Sequence, residues 1–386
     1  MNETAQCLAA VLSFWRTEGE PLLANLSQTL PDWFADHARD LPWRADREPY
    51  HVWLSEIMLQ QTRAETVKLY YERFLQTFPT VAALADAEES QVFKQWEGLG
   101  YYSRARNLLQ TAKLIRSDYA GRFPTSYEEL LKLPGIGAYT AGAIASICYG
   151  QPVAAVDGNV LRVVSRITEL YLPIDEPLVR QGVAESLSRV YPLGRCGAFT
   201  QSLMELGATV CIPNGAPKCE QCPANSFCRA YAEQSADLLP VRRPRKTREI
   251  EEKTVLILKH DGRLAVRRRK DSGLLAGLWE LPNVGGFASP EEMIRLADEW
   301  HAAPTCISAP FERKHIFTHI EWHMRCYELT CAEMPEEFIW ATDEMLRKEI
   351  TLPTAFRVCL KPKKEIKRKR KVKIDEPLSN QNNTLL

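Results

Sequence analysis

Apolar positions through residues 1 to 235 recur at helical spacing with few β-branched alternations, so this stretch is expected to be mostly helical. Cys7 to Trp15 reads as a short amphipathic helix. Thr125-Ser126-Tyr127-Glu128 has the form of a capping box opening a helix that ends at Leu133-Pro134-Gly135-Ile136-Gly137. A second helix is expected from near Ala138, with Ala141, Ile144, Ala145 and Cys148 on its buried face. Beyond residue 250 the period changes to two. Thr254 to Leu258, Asp261-Gly262, then Leu264 to Val266 predicts a β-hairpin. Ile320, Trp322 and Met324 alternate with Glu321, His323 and Arg325, the pattern of a half-buried strand. An all-α domain is therefore followed by one of mixed α and β.

A length of 386 residues suits two domains rather than one core. The expected divisions are an N-terminal extension (1–28), a helical domain (29–235), a linker (236–250), a second domain (251–360) and a basic tail (361–386). The linker rests on Pro240-Val241-Arg242-Arg243-Pro244-Arg245-Lys246, with its prolines and charges. Lys361 to Lys373 holds nine basic residues and one acid, which favours disorder. Net charge is zero, so any nucleic-acid partner must be attracted by local basic clusters. No apolar run reaches the roughly 18 residues of a membrane span, and a cytoplasmic protein is expected. In a reducing compartment, clustered cysteines point to metal rather than disulfides.

Of the eleven cysteines, Cys211, Cys219, Cys222 and Cys228 lie within 18 residues, separated by seven, two and five others. Four thiolates so placed can close around one soft metal centre, and spacing leaves zinc and an iron–sulfur cluster both open. The glycine-bearing turn at Gly135 and Gly137 lets backbone N–H groups approach a phosphate at a helix N-terminus.

Leu133-Pro134-Gly135-Ile136-Gly137, with Val156-Asp157-Gly158-Asn159-Val160 further on, resembles the helix–hairpin–helix DNA glycosylases. Glu56 within Ser55-Glu56-Ile57-Met58-Leu59-Gln60-Gln61-Thr62, and Gly98-Leu99-Gly100-Tyr101-Tyr102, narrow the resemblance to the adenine glycosylases of the MutY type. The resemblance covers roughly residues 29–360. It implies an all-α helix–hairpin–helix domain with an iron–sulfur loop, then an α+β Nudix-like domain. It also implies one [4Fe–4S] cluster on the four cysteines. The family usually has six residues between the first two; seven here should bulge outward.

The implied reaction is removal of adenine mispaired with 8-oxoguanine or guanine in double-stranded DNA, by a monomer. Glu56 would protonate adenine, with burial beside Trp53 and Ile57 raising its pKa. Asp157 would stabilise the sugar cation, oriented by Asn159. Tyr139 stands where the related strand-cleaving endonuclease III enzymes carry lysine. It can hydrogen-bond near the sugar but cannot form a Schiff base, which argues for base removal without strand cleavage. Trp43, Arg44, Leu59 and Gln201 match the adenine pocket, Gln201 standing where glutamate is common. The base must be extruded, and Gln61, Thr62, Leu99 and Tyr101, with Gly135 and Gly137, match the DNA-contacting positions.

Gly277-Leu278-Trp279-Glu280-Leu281-Pro282 resembles the opening of Nudix hydrolases, but Pro290 to Trp300 lacks their spaced glutamates. The second domain therefore reads as a Nudix fold without its hydrolase chemistry. Phe317, Thr318 and His319 match the loop that reads the oxidised guanine, with threonine where serine is common. Three alternatives are weaker. A nucleotide pyrophosphohydrolase lacks its acids, a damage sensor would not need both Glu56 and Asp157, and a lyase would need a lysine.

Overall fold

The computed structural model describes residues 3–244 and 247–361; the side chains of residues 3–10 and 14 are outside the description, as is the basic tail after Lys361. The first domain is helical. Its elements are α1 (Glu3–His37), α2 (Pro49–Leu59), α3 (Ala64–Thr77), α4 (Val81–Ala85), α5 (Glu89–Trp96) and α6 (Ser103–Asp118). After them come α7 (Tyr127–Leu130), α8 (Ala138–Tyr149), α9 (Gly158–Thr168), α10 (Pro177–Arg189), α11 (Cys196–Thr209) and α12 (Arg229–Ala232).

Two separate apolar cores divide these helices into lobes. Trp53, Met58, Phe74, Trp96, Leu108 and Ile144 centre the first, built on α2, α3, α5, α6 and α8. Leu23, Leu26, Leu30, Val163, Phe199 and Leu203 centre the second, built on α1, α9, α10 and α11. Helix α8 is buried around nearly its whole circumference, which is why its sequence is small and apolar rather than amphipathic. At Gly142 any Cβ would come within 2.7 Å of the Ala154 carbonyl oxygen, so only glycine allows this approach.

Three expectations need correction. The break at residue 28 is absent: α1 is continuous, Leu23, Leu26 and Leu30 are fully buried, and Trp15 Nε1 donates to Thr168 Oγ1 at 2.9 Å. The segment read as a short helix at Cys7 to Trp15 is part of this one element. Pro21 and Pro31 within it disguise its length, since proline ordinarily interrupts a helix. In place of the expected capping box, Ser126 alone caps the helix by accepting from Glu129 N, and the helix it opens is a single turn. Finally, the first part of the linker is docked. Leu239 is buried, Arg166 Nε donates to its carbonyl, and Ile174 N donates to Val241 O at 3.0 Å.

The second domain contains β1 (Glu249–His260), β2 (Arg263–Arg268), β3 (Trp279–Glu280), β4 (Asn283–Gly285), α13 (Pro290–Glu299), β5 (Pro304–Ile307), β6 (Phe311–Ile316), β7 (Ile320–Cys331), β8 (Ile339–Ala341), α14 (Asp343–Lys348) and α15 (Thr354–Leu360). The expected hairpin forms, with β1 and β2 antiparallel and Asp261 and Gly262 both at positive φ, as a two-residue hairpin turn needs. The core pairing is parallel, from Glu249 opposite Ile320 to Lys259 opposite Thr330. Apolar clusters cover both faces, one under α15 and the other under α13. This explains the uninterrupted run Val255-Leu256-Ile257-Leu258.

The domains touch along α5 and α6. Lys94 Nζ donates to Leu346 O and Ile350 O, Leu352 N and Arg357 donate to Glu97, and Arg106 donates to Ala276 O. This contact lays residues 317–319 beside the 98–101 loop.

Candidate active site

One pocket between the two lobes collects most of the expected chemistry. Its lining includes Trp43, Arg44, Glu56, Leu59, Gln61, Thr62, Tyr139, Asp157, Asn159 and Gln201. Glu56 comes from α2 and the first lobe. Asp157 comes from the second, where it is the N-cap of α9: its Oδ1 accepts from Val160 N at 2.8 Å. Capping holds one carboxylate oxygen, and Asn159 Nδ2 donates to the other at 2.8 Å. Burial pushes Asp157 up, while these donors oppose it.

Glu56 is only 5% exposed. Burial lifts its carboxyl to about 7, against the Tyr139 hydrogen bond, with the Asp157 charge adding to the rise and Arg44 opposing it. Tyr139, expected to be able to hydrogen-bond near the sugar, donates its hydroxyl to Glu56 Oε2 at 2.5 Å. Burial, with the neighbouring Glu56 charge, raises the Tyr139 phenol well above its ordinary value, so it remains a donor.

Arg44 is also committed within the protein. Its Nη2 donates to Glu205 Oε2 at 2.7 Å, and Arg39 grips the same carboxylate through Nε at 2.6 Å and Nη2 at 3.0 Å. Burial disfavours the Glu205 charge, but the Arg39 and Arg44 hydrogen bonds outweigh it and hold the carboxyl below its usual range. Glu205 was not foreseen, although it lies one helical turn from Gln201 on α11 and shares its face.

Arg162 was also missed. Its Nη2 donates to Asn159 Oδ1 at 2.9 Å and Gly207 O at 2.7 Å, and its Nε to Cys211 O at 2.8 Å. A continuous chain thus runs from the Asp157 carboxylate through Asn159 and Arg162 to the backbone of Cys211. Gly207 lets Asn159 in: a Cβ there would lie 2.7 Å from the Asn159 Cβ.

Of the expected DNA-facing residues, Gln61 and Thr62 line this pocket, whereas Leu99, Tyr101, Gly135 and Gly137 lie outside its lining. Buried Arg104 donates through Nη1 to Ile57 O, Met58 O and Gln60 O, and through Nη2 to Leu99 O and Gly100 O. It caps α2 and pins the two loops together. Gln61 and Tyr101, one on each loop, both have positive φ (59° and 50°), a conformation that costs free energy in non-glycine residues. Tyr101 is 47% exposed, whereas Leu99 is 8% exposed and packs into the first core, so only the tyrosine projects. Gly135 is at φ 74°, where a Cβ would strike Asn107; Gly137 is extended and caps α8. Both glycines are exposed. Thr318 Oγ1 lies 3.0 Å from the Tyr101 hydroxyl, His319 is exposed, and Phe317 packs on Trp322.

The four cysteines line one cavity with Arg166, whose Nη1 lies 3.4 Å from Cys211 Sγ. The loop between the first two closes through Lys218 N to Val210 O, and residues 213–216 stand out exposed. Among the described residues no three Cys, His, Asp or Glu side chains converge tightly enough for a single metal ion. In the second domain, Glu292 is engaged in a capping box with Ser289 at the start of α13. Among the described residues, no helix is long and apolar enough to cross a membrane.

Residues 54–173 match the HhH-GPD superfamily of base excision DNA repair proteins, and residues 253–362 match the NUDIX domain. The chain is 39% identical to the adenine DNA glycosylase of Arabidopsis thaliana over 346 residues, covering 75% of this chain but just over half (55%) of that protein. It is 34% identical to the Homo sapiens adenine DNA glycosylase over 383 residues, covering 82% of this chain and 70% of that protein. A thermostable thymine-DNA glycosylase structure is 29% identical, at a TM-score of 0.48, covering 57% of this chain and 98% of its own. With its two carboxylates facing one pocket between helical lobes and a Nudix domain behind, the chain belongs to the adenine DNA glycosylases, base-excision repair enzymes that hydrolyse N-glycosidic bonds.

Proposed function

We propose that this chain excises adenine paired with 8-oxoguanine or guanine in duplex DNA, by hydrolysis and without cutting the strand. The observation that carries this reading is the pairing of unlike carboxyls across one pocket. Glu56 titrates near neutrality, and Asp157 is held by a backbone N–H and an amide. Neutral Glu56 supplies the proton that makes adenine a leaving group. Asp157 stabilises the positive charge that develops on the sugar. No lysine lines the pocket among the described residues, and Tyr139 is tied to Glu56, which leaves no amine for a Schiff base.

Thr318 and Tyr101 would meet the base opposite adenine, since their hydroxyls are the exposed pair where the two domains join. Cys211, Cys219, Cys222 and Cys228 would hold one [4Fe–4S] cluster. The four thiols line one cavity, and an all-cysteine set of four is the ligand set such a cluster takes. Bound there, the cluster would act as a structural staple for the 211–228 segment. The decisive experiment is single-turnover cleavage of duplexes carrying adenine opposite 8-oxoguanine, guanine, cytosine or thymine. Adenine release fastest opposite 8-oxoguanine, with the strand intact until alkali is added, is expected. Equal rates on all four, or strand breaks that keep pace with base release, would overturn the reading.

A further inference from the structure

Two arginines of the active-site pocket take no part in the chemistry above. Arg180 on α10 and Arg242 on the segment between the domains line it together with Asp157, Gly158, Asn159 and Pro213. They differ from Arg39 and Arg44, whose guanidinium groups lie within 2.7 Å of the buried Glu205 carboxylate. The acid nearest both is Asp175, with Oδ1 3.9 Å from Arg180 Nη2 and 3.7 Å from Arg242 Nη1. Those separations exceed a hydrogen bond, and the side chains are 49% and 46% exposed. Asp175 thus orients two cations without engaging either closely.

The backbone that carries Arg242 is fixed. Val241 O accepts from Ile174 N at 3.0 Å, Arg243 N donates to Asp175 Oδ2 at 3.2 Å, and Arg243 pairs with Glu176. Arg180 is steadied by its own Nε, which donates to Ile174 O at 3.0 Å. The result is a pair of half-exposed guanidiniums lining the same pocket as buried Glu56 and half-buried Asp157. A nucleotide swung out of a duplex fits this polarity: its base and sugar enter, and its flanking phosphates stay at the rim. Guanidinium groups match phosphate oxygens in shape as well as charge.

We propose that Arg180 and Arg242 form a clamp for the DNA phosphate beside the extruded nucleotide, so that the segment joining the domains is part of the substrate-binding surface. The inference rests on the base-extruding reading of the pocket. Arg63 also lines the pocket, but its place in the chain adjoins the Gln61 loop rather than this clamp.

The test uses the full-length protein and two duplexes. One carries a cleavage-resistant 2′-fluoro adenine nucleotide opposite 8-oxoguanine, and the other is fully paired. Binding is measured between about 50 and 200 mM salt, the range in which counterion release dominates. Arg180→Ala and Arg242→Ala should each lower the slope of log Kd against log salt by about 0.9 on the mispaired duplex and weaken binding roughly 3- to 10-fold. Arg242→Lys should restore most of the slope, because the counterion term follows charge. The paired duplex should show less than about half of this loss. An unchanged slope on the mispaired duplex, or equal losses on both, overturns the clamp. Adenine release by the wild type from a cleavable duplex is scored separately. Its failure would sink the chemistry, whereas the mispair-specific loss of slope judges the clamp.

Discussion

The Tyr139 hydroxyl donates to Glu56 Oε2 at 2.5 Å, which ties the tyrosine to the acid. The contact favours the charged form of a carboxyl that burial otherwise keeps neutral, so the two effects together set where Glu56 titrates. The adenine-release rate should fall as pH rises through about 7, because the proton donor is lost. Tyr139→Phe removes a contact that lowers the pKa and should move this limb to higher pH. Single-turnover rates across pH 5.5 to 9 (about that range) check this; an unmoved limb would detach Tyr139 from the acid.

Glu56 also has a stability signature of opposite sign to its usefulness. Its pKa is raised on folding from 4.5 to about 7, so the native state binds more protons than the unfolded state between those values. The contribution is therefore best below pH 4.5, declines as pH rises to about 7, and stays at its full penalty above. Glu56→Gln should abolish adenine release yet stabilise the first domain at pH 8, by on the order of 3 kcal/mol at most. Urea unfolding at pH 8 and pH 5 measures it, and the gain should shrink at the lower pH.

Glu205 makes the contrary case, a fully buried carboxylate held charged by two arginines. Glu205→Ala leaves Arg39 and Arg44 without their shared partner, a type of loss that costs about 3–5 kcal/mol. Since Arg44 lines the pocket, base release should fall along with stability. Glu205→Gln keeps the shape and should recover soluble protein more than it recovers activity. Full recovery of both would show that the charge is dispensable.

The four cysteines should yield a yellow-brown protein with about four iron and four sulfide per chain. Stoichiometric zinc without iron after anaerobic purification would contradict this, and Cys222→Ser should lower soluble yield. Arg162→Gln tests the link between the cysteine segment and Asp157. All four cysteines remain, so iron should still bind although Cys211 O loses its Arg162 donor, while Asn159 loses its anchor and Asp157 its orientation. Misplacement of about 1 Å at such a site can cost on the order of 10²-fold in rate. Normal turnover in this variant would show that Asn159 holds Asp157 unaided.

The sequence made the two pocket carboxylates, the hairpin turn and the strand at Ile320–Met324 visible because each leaves a short-range signature, whereas the parallel pairing of that strand with β1 left none. Glu56 and Asp157 sit in distinctive local motifs, and Asp261-Gly262 encodes its turn directly. What stayed hidden depends on contacts between distant segments. Arg104 serves carbonyls more than 40 residues away, and no local pattern distinguishes it from a surface arginine. The continuity of α1 through Pro21 and Pro31 rests on tertiary packing, so the division at residue 28 and the short helix at Cys7 to Trp15 missed it. The docking of residues 239–243 was masked by proline and charge, which read as a spacer although Leu239 is buried.

That docking changes how the division of labour between domains should be tested. A fragment ending at residue 235 would strip Leu239 from the protein and remove the Leu239 carbonyl from Arg166 and the Val241 carbonyl from Ile174. A fragment ending at residue 244 keeps these contacts, Glu56, Asp157 and all four cysteines. It should fold and release adenine, while the 235 fragment should be less stable and bind DNA less well. Both lack Thr318, whose hydroxyl meets Tyr101 in the full chain. Loss of a base-edge contact is worth roughly 1–3 kcal/mol, or about 5- to 150-fold in discrimination. The 244 fragment should therefore lose preference for 8-oxoguanine over guanine opposite adenine by a factor in that range. Full-length protein with Thr318→Ala and His319→Ala should move the same way while keeping activity on adenine opposite guanine. Ratios of single-turnover rates on the two mispairs decide the matter. If the 244 fragment and the full chain show equal ratios, lesion reading resides in the helical lobes, and the contact between Thr318 and Tyr101 only joins the domains.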